Sequence, residues 1–80
     1  MKFITMEPYF KVVEFAGQQL SVPAWGAAIG ADSDGAVYVY SGKPIETERG
    51  WYNSDFGPYQ VIGYVDLEGA DWRTTLKEIK

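Results

Sequence analysis

The chain has 80 residues, enough for one domain spanning 1–80, and its formal net charge of −4 opposes direct binding to nucleic acid or anionic lipid. It contains neither cysteine nor histidine, which removes disulfides, thiolate nucleophiles, Ser-His-Asp systems and the commonest transition-metal ligand. Aromatic residues make up 16%, so a few large rings can supply the core that a short chain lacks in length.

Near the start, Met1-Lys2-Phe3-Ile4 runs directly into Thr5, Glu7 and Pro8, which reads against a secretory leader. No apolar run approaches the roughly 20 residues of a membrane span. With no cysteine staples, the expected setting is a reducing cytoplasm. Tyr9 to Phe15 is aromatic and β-branched and predicts a strand, although the adjacent Val12 and Val13 break its alternation. Ala16-Gly17-Gln18 reads as a turn, and Gln19 to Val22 as the returning strand. Pro23 then interrupts strand pairing, so Pro23 to Gly26 is expected to be a short turn or helical segment, with Trp25 packed in the core.

The strongest local signal is Asp32-Ser33-Asp34-Gly35 between Ala27–Ala31 and Ala36–Tyr40. Asp-Gly between two apolar runs marks a hairpin, because Gly takes positive φ without steric penalty. Ala36, Tyr38 and Tyr40 should share one face, and Val37 and Val39 the other. The small residues Ala27, Ala28, Gly30 and Ala31 leave room for aromatic rings to lie across their strand. Ser41 to Pro44 reads as a turn or strand exit, and Ile45 to Gly50 as a polar loop.

Trp51 to Tyr59, WYNSDFGPY, puts four aromatic residues into a loop-like composition. Adjacent Trp51 and Tyr52 cannot both face the core of an extended segment. Trp51 and Phe56 are expected to anchor the segment, leaving Tyr52, Asp55 and Tyr59 toward solvent. Gln60 to Leu67 reads as a further strand with Gly63 at a bulge or a close backbone approach. Glu68-Gly69-Ala70 turns the chain. Asp71 can then cap a final helix, since Trp72, Leu76 and Ile79 recur at helical spacing and Lys77 and Lys80 suit its C-terminal end. Trp72 is expected in the core. The predicted fold class is α+β, mainly β: a small antiparallel sheet of four or five strands with a short C-terminal helix.

Cofactor and metal motifs are missing. Aligning Gly35 with the glycine of a calcium-binding EF-hand loop would put Gly30 and Ser41 at the first and last ligand positions, where neither can serve. The glycines form neither phosphate-binding loop, and Gly42-Lys43 meets Pro44 rather than a helix start. Asp32 and Asp34 sit where a hairpin turn favours Asp, so they read as turn chemistry. Catalytic, metal and cofactor residues are therefore expected to be none.

Acidic residues concentrate late in the chain. Between Pro44 and Asp71 six carboxylates face one base, a local net of −5. Exposed tyrosines beside carboxylates are typical of protein-binding patches. Tyr52, Asp55, Tyr59, Glu46, Glu48, Asp66 and Glu68 are thus the candidate partner-binding residues. An acidic surface imitating DNA phosphates is a physically allowed variant.

Val22-Pro23-Ala24-Trp25, then Asp32-Ser33-Asp34-Gly35-Ala36-Val37-Tyr38-Val39-Tyr40, Lys43-Pro44, Trp51, Gly63-Tyr64-Val65-Asp66-Leu67 and Asp71-Trp72-Arg73-Thr74-Thr75-Leu76 follow one another in an order that resembles a group of small phage and prophage accessory proteins. The resemblance covers Val22 to Leu76, and it departs at Thr75, where the pattern has Ser. Its motifs are turn, strand and core residues. It implies a non-enzymatic phage protein that binds and inhibits a host protein or a bacterial defence protein such as a CRISPR–Cas component, in the host cytoplasm. Such targets present basic grooves that an acidic protein can occupy. Two alternatives remain open at this point. One is a small-ligand module, or a carboxylate enzyme, with a pocket between Tyr38, Tyr40 and Trp51. The other is a virion or assembly component acting through self-association.

Overall fold

A computed structural model describes residues 10–53 and 57–79. Strand β1, Phe10–Phe15, pairs antiparallel with β2, Gln18–Pro23, in register from Phe10↔Pro23 to Phe15↔Gln18. The two linking residues, Ala16 and Gly17, both have positive φ, 52° and 78°. That is a type I′ turn, whose twist matches the twist of the strands it joins. The break in alternation at Val12-Val13 resolves simply. Val13 packs against the core, and Val12 stays 66% exposed. Tyr9, expected to begin this strand, lies outside the described residues.

The central sheet is built on β3, Ala28–Ala31, and β4, Ala36–Tyr40. Their Asp32–Gly35 connection is the hairpin turn expected from its sequence. Gly35 N–H donates to Asp32 O at 2.9 Å, Ala36 N–H to the Asp34 carboxylate at 3.0 Å, and Asp32 N–H to Ala36 O at 2.8 Å. Gly35 has φ 87°, as the turn requires. Two two-residue strands, β5 (Ile45–Glu46) and β6 (Trp51–Tyr52), form a miniature hairpin where a loop was expected. Strand β7, Tyr59–Tyr64, pairs with β4, and the register moves from Tyr38↔Val61 to Val37↔Gly63. Ile62 is therefore the extra residue of a bulge, next to the glycine that signalled one.

The sheet order is β7-β4-β3-β8, where β8 is Lys77–Glu78. One face carries Ile29, Ala31, Val37 and Val39, and joins Phe15 and Val22 of the β1–β2 hairpin in the core. The other face carries Tyr38 and Tyr40. The predicted division of β4 into a tyrosine face and a valine face is what the fold uses. Among the described residues, no helix is long and apolar enough to cross a membrane.

Two expectations need correction. The predicted C-terminal helix is only a 3₁₀ turn, Trp72–Thr74, followed by β8. Asp71 does cap it, accepting from Arg73 N–H at 3.0 Å. The Thr74 and Thr75 hydroxyls then bond back to the carbonyls of Asp71 and Trp72, each at 2.7 Å. Two consecutive β-branched residues with such alternatives are poor helix propagators. The stronger pull is β3, which is buried along its whole length and needs partners for its outer N–H and C=O groups. Residues 77–79 supply them: Ala28↔Glu78, Ile29↔Lys77, and Ile79 N–H to Ala27 O at 2.8 Å. The helical spacing of Leu76 and Ile79 was coincidental.

Trp25 is the second correction. It is 38% exposed rather than core, because Gly26 N–H donates to Pro23 O at 2.9 Å and fixes Trp25 at the corner of a tight turn. Trp72 is buried as expected.

Thr75 completes the β3 edge where β8 stops, its hydroxyl oxygen accepting from Ala31 N–H at 2.9 Å. Thr75→Val keeps the shape and removes that acceptor, so it should cost about 1–3 kcal/mol in urea unfolding. Thr75→Ser, which retains the hydroxyl, should unfold close to the parent. A loss in Thr75→Ser with none in Thr75→Val would show that the methyl group, not the hydrogen bond, matters.

Candidate functional site

The tyrosine face holds a cleft of about 250 Å³. Its floor is the sheet: Tyr38 and Tyr40 from β4, and Tyr59 from β7. The three ring centroids lie 6.1–6.2 Å apart, and Tyr40 and Tyr59 are within 20° of parallel. These spacings follow from the register, since Tyr59 is directly opposite Tyr40 and Tyr38 is two residues along the same strand. Tyr40 is 2% exposed and Tyr59 58%, so the floor rises from a buried ring to an open one.

The opposite wall is the β5–β6 hairpin, contributing Trp51, Tyr52 and then Asn53. Strands this short are not stable alone. They are held by Ser33 N–H to Arg49 O at 3.1 Å, Trp51 N–H to the Asp32 carboxylate at 3.0 Å, and the Trp51 indole N–H to Ala31 O at 3.0 Å. The Thr47 hydroxyl closes the hairpin turn onto Gly50 O at 2.6 Å. Trp51 also meets Trp72 edge-on, with centroids 5.6 Å apart. Beneath the indole lies Gly30, where an added Cβ would come within 3.0 Å of Nε1. The small residues of β3 thus make room for a ring, as their sequence suggested.

Asp32 closes one end of the cleft. One oxygen accepts from Trp51 N–H, and among the described residues no Lys or Arg pairs with this carboxylate. Burial is the main cause that raises its pKa above the ordinary carboxylate value. The Trp51 N–H pulls it back, and the neighbouring Asp34 charge adds to the rise. Burial also raises the pKa of Tyr40, and the Asp32 charge raises it further; Tyr38 responds in the same way. Both hydroxyls therefore stay protonated around neutral pH.

The seven candidate binding residues are not gathered in one place. Tyr52 and Tyr59 line the cleft, 56% and 58% exposed. Glu46 lies on β5, but its carboxylate pairs with Arg73 Nε at 3.4 Å. The same guanidinium sits 4.7 Å over the Trp72 ring. Glu48 is exposed in the β5–β6 turn. Asp66 and Glu68 line a separate groove of about 350 Å³ beside Phe15 and Gln18, where Asp66 accepts from Glu68 N–H at 2.9 Å. Asp55 and Phe56 lie outside the described residues.

Asp32 was read as turn chemistry and is more than that. Its backbone carbonyl makes the turn, and its side chain docks β6. With Asp34 satisfying Ala36 N–H, the Asp32 side chain is left to dock β6, a division of labour that the structure shows and the sequence does not. Asn53 was also missed, and its side-chain amide donates to Gly57 O at 2.7 Å. Among the described residues no three carboxylates converge as a metal-binding group. No family model, curated protein or solved structure matches this chain.

Proposed function

We propose that the protein is a non-enzymatic binding module whose tyrosine-lined cleft takes a cationic side chain, Arg above all, from a basic surface of a partner protein. The observation that carries this reading is Asp32: a half-buried carboxylate at the end of an aromatic cleft, with no cation among the described residues. A guanidinium would offset the carboxylate's lost hydration, and its planar face suits the exposed ring of Tyr59, which lies within 20° of parallel to Tyr40. The chain's net charge of −4 favours encounter with a basic partner. The lack of histidine and cysteine supports binding over catalysis. The resemblance to phage accessory proteins suggests the setting, inhibition of a host or defence protein in the bacterial cytoplasm.

Asp32→Asn is the direct test, because an amide oxygen can still accept from Trp51 N–H. Affinity for a short arginine-rich peptide should fall about tenfold, a loss of about 1.4 kcal/mol, with the fold intact. Tyr59→Ala should weaken the same peptide, and added salt should weaken it further. Unchanged affinity in both variants would sink the proposal. The pH dependence has opposite signs for stability and binding. A carboxylate whose folded pKa is raised contributes stability below its unfolded value, about 4, and loses it as pH rises through the folded value. Cation affinity instead increases across that window, as Asp32 ionises. Asp32→Asn should flatten both trends.

A small-ligand module is a second reading, because the cleft lies between the residues it requires, Tyr38, Tyr40 and Trp51. A volume of about 250 Å³ falls below the roughly 300–1,000 Å³ common for ligand pockets. That size suits one side chain better than a whole ligand. Free arginine binding as tightly as the peptide would favour the ligand reading.

A further inference from the structure

The two edges of the central sheet are treated differently. The β3 edge is covered by β8, but among the described residues nothing pairs with the outer edge of β7. Sheets usually protect a free edge with Lys, Pro or an inward charge. From Tyr59 to Tyr64, YQVIGY, β7 has no charge and no proline, and the bulge at Ile62 is its one protective device.

The hydrogen-bond pattern shows which groups β7 offers. Ser41 N–H donates to Pro58 O at 3.0 Å, so Ser41 and Pro58 form a bonded pair. Antiparallel pairs alternate, which makes Val39 and Gln60 the next bonded pair and turns the N–H and C=O of Tyr59 and Val61 away from β4. Tyr40, opposite Tyr59, agrees with this, because its carbonyl accepts from Ala27 N–H on the other side. Beyond the bulge, Val65 N–H donates to Gly35 O, and the same alternation turns Tyr64 outward. Tyr59, Val61 and Tyr64 pair with Tyr40, Tyr38 and Ala36, so their side chains stand on the tyrosine face, all exposed.

We infer that β7 is a docking edge for an extended, basic segment of a partner protein, which adds to it as an antiparallel fifth strand. Residues of that segment opposite Tyr59 and Val61 would bond to their backbone groups and project side chains over the tyrosine face. Arg or Lys at those alternate positions would lie against Tyr59 and Tyr64. Charge selects this occupant over a second copy of the chain. The chain leaves β7 into Asp66 and Glu68 and carries a net charge of −4. A second copy on this edge would therefore bring like charge against like charge. The inference rests on reading the tyrosine face as the site for a basic partner, and it adds the geometry of docking.

The test uses a short blocked peptide alternating Arg and Thr, titrated into the full chain. Methylating the Arg amide nitrogens removes the donors that would face β7, and methylating the Thr amides removes those that would face solvent. Strand addition expects the first peptide to bind at least about tenfold more weakly and the second to bind within about threefold of the parent. Val61→Pro removes an outward N–H at an edge position that tolerates proline. It should weaken binding as Arg-amide methylation does, with an unchanged urea midpoint. Equal binding by both methylated peptides overturns strand addition, and if Asp32→Asn still weakens the parent peptide, the cleft reading survives alone. No binding by any peptide at low salt overturns both. A concentration-dependent dimer that Val61→Pro abolishes and the peptide fails to dissociate gives the edge to a second copy and overturns the proposed occupant.

Discussion

Gly35→Ala should lower the melting temperature by more than about 12 °C, corresponding to a loss of about 3 kcal/mol or more in a domain this small. Two penalties combine at this position. Gly35 has φ 87°, which an L side chain adopts only at a cost of about 1–2 kcal/mol. An added Cβ would also collide with the Val65 carbonyl oxygen, a backbone atom that cannot rotate aside. The collision matters because Gly35 is tied on both sides, donating to Asp32 O and accepting from Val65 N–H. Gly69→Ala separates the two penalties. Gly69 has φ 84°, but an added Cβ there meets nothing within 4 Å. Thermal unfolding should place Gly69→Ala near the conformational cost alone. Similar losses at both positions would mean that the Val65 contact carries no penalty.

Trp51→Ala should remove about 3 kcal/mol of stability and abolish affinity for the basic peptide. Full burial of a Trp is worth about 3–5 kcal/mol on truncation, and Trp51 is only half-buried, so the lower end applies. The binding loss is expected to exceed what the missing ring alone would produce. The β5–β6 hairpin relies on Trp51 for its indole hydrogen bond, its edge contact with Trp72 and its seat over Gly30. Without it, the wall bearing Tyr52 detaches from the sheet. Trp51→Phe keeps a ring and loses the N–H donated to Ala31 O, so it should cost about 1 kcal/mol and retain most binding. Urea midpoints and peptide titrations on both variants check this. Wild-type affinity in Trp51→Ala would show that the cleft needs no second wall.

Much of the sheet was legible because its signals are local. Asp34-Gly35 dictates a turn through φ and side-chain bonding, Gly63 flags a bulge, and β4 alternates cleanly between valine and tyrosine. The C-terminal segment was not legible, because its competitor was distant. Trp72 to Ile79 satisfies a helical pattern on its own, but the open backbone of β3 outbids that pattern, and no local rule registers an unpaired strand some fifty residues away. Trp25 was misplaced because the turn at Pro23–Gly26 decides its direction before hydrophobicity can.

The candidate site was half legible for a similar reason. Tyr38, Tyr40 and Tyr59 come together through strand pairing, and small residues in β3 signalled that a ring would cross them. The carboxylates were grouped by their nearness in sequence. The bulged β7 carries Asp66 and Glu68 to another groove, Arg73 engages Glu46, and the acid that reaches the rings is Asp32, from the opposite end of the central hairpin.

The pairing of residues 77–79 with 27–29 also sets a schedule for biogenesis. The ribosome releases the apolar strand Ala28-Ile29-Gly30-Ala31 long before it releases Lys77, Glu78 and Ile79. A nascent chain can form the β1–β2 and β3–β4 hairpins at once, since their contacts are local, but one side of the Ala28–Ala31 strand stays open until translation passes Ile79. During that interval the chain exposes an uncharged strand able to pair with neighbouring chains. Its last three described residues thus act as the latch of the central sheet, and a chain stalled before Lys77 would leave that sheet sticky on the side the finished protein keeps closed.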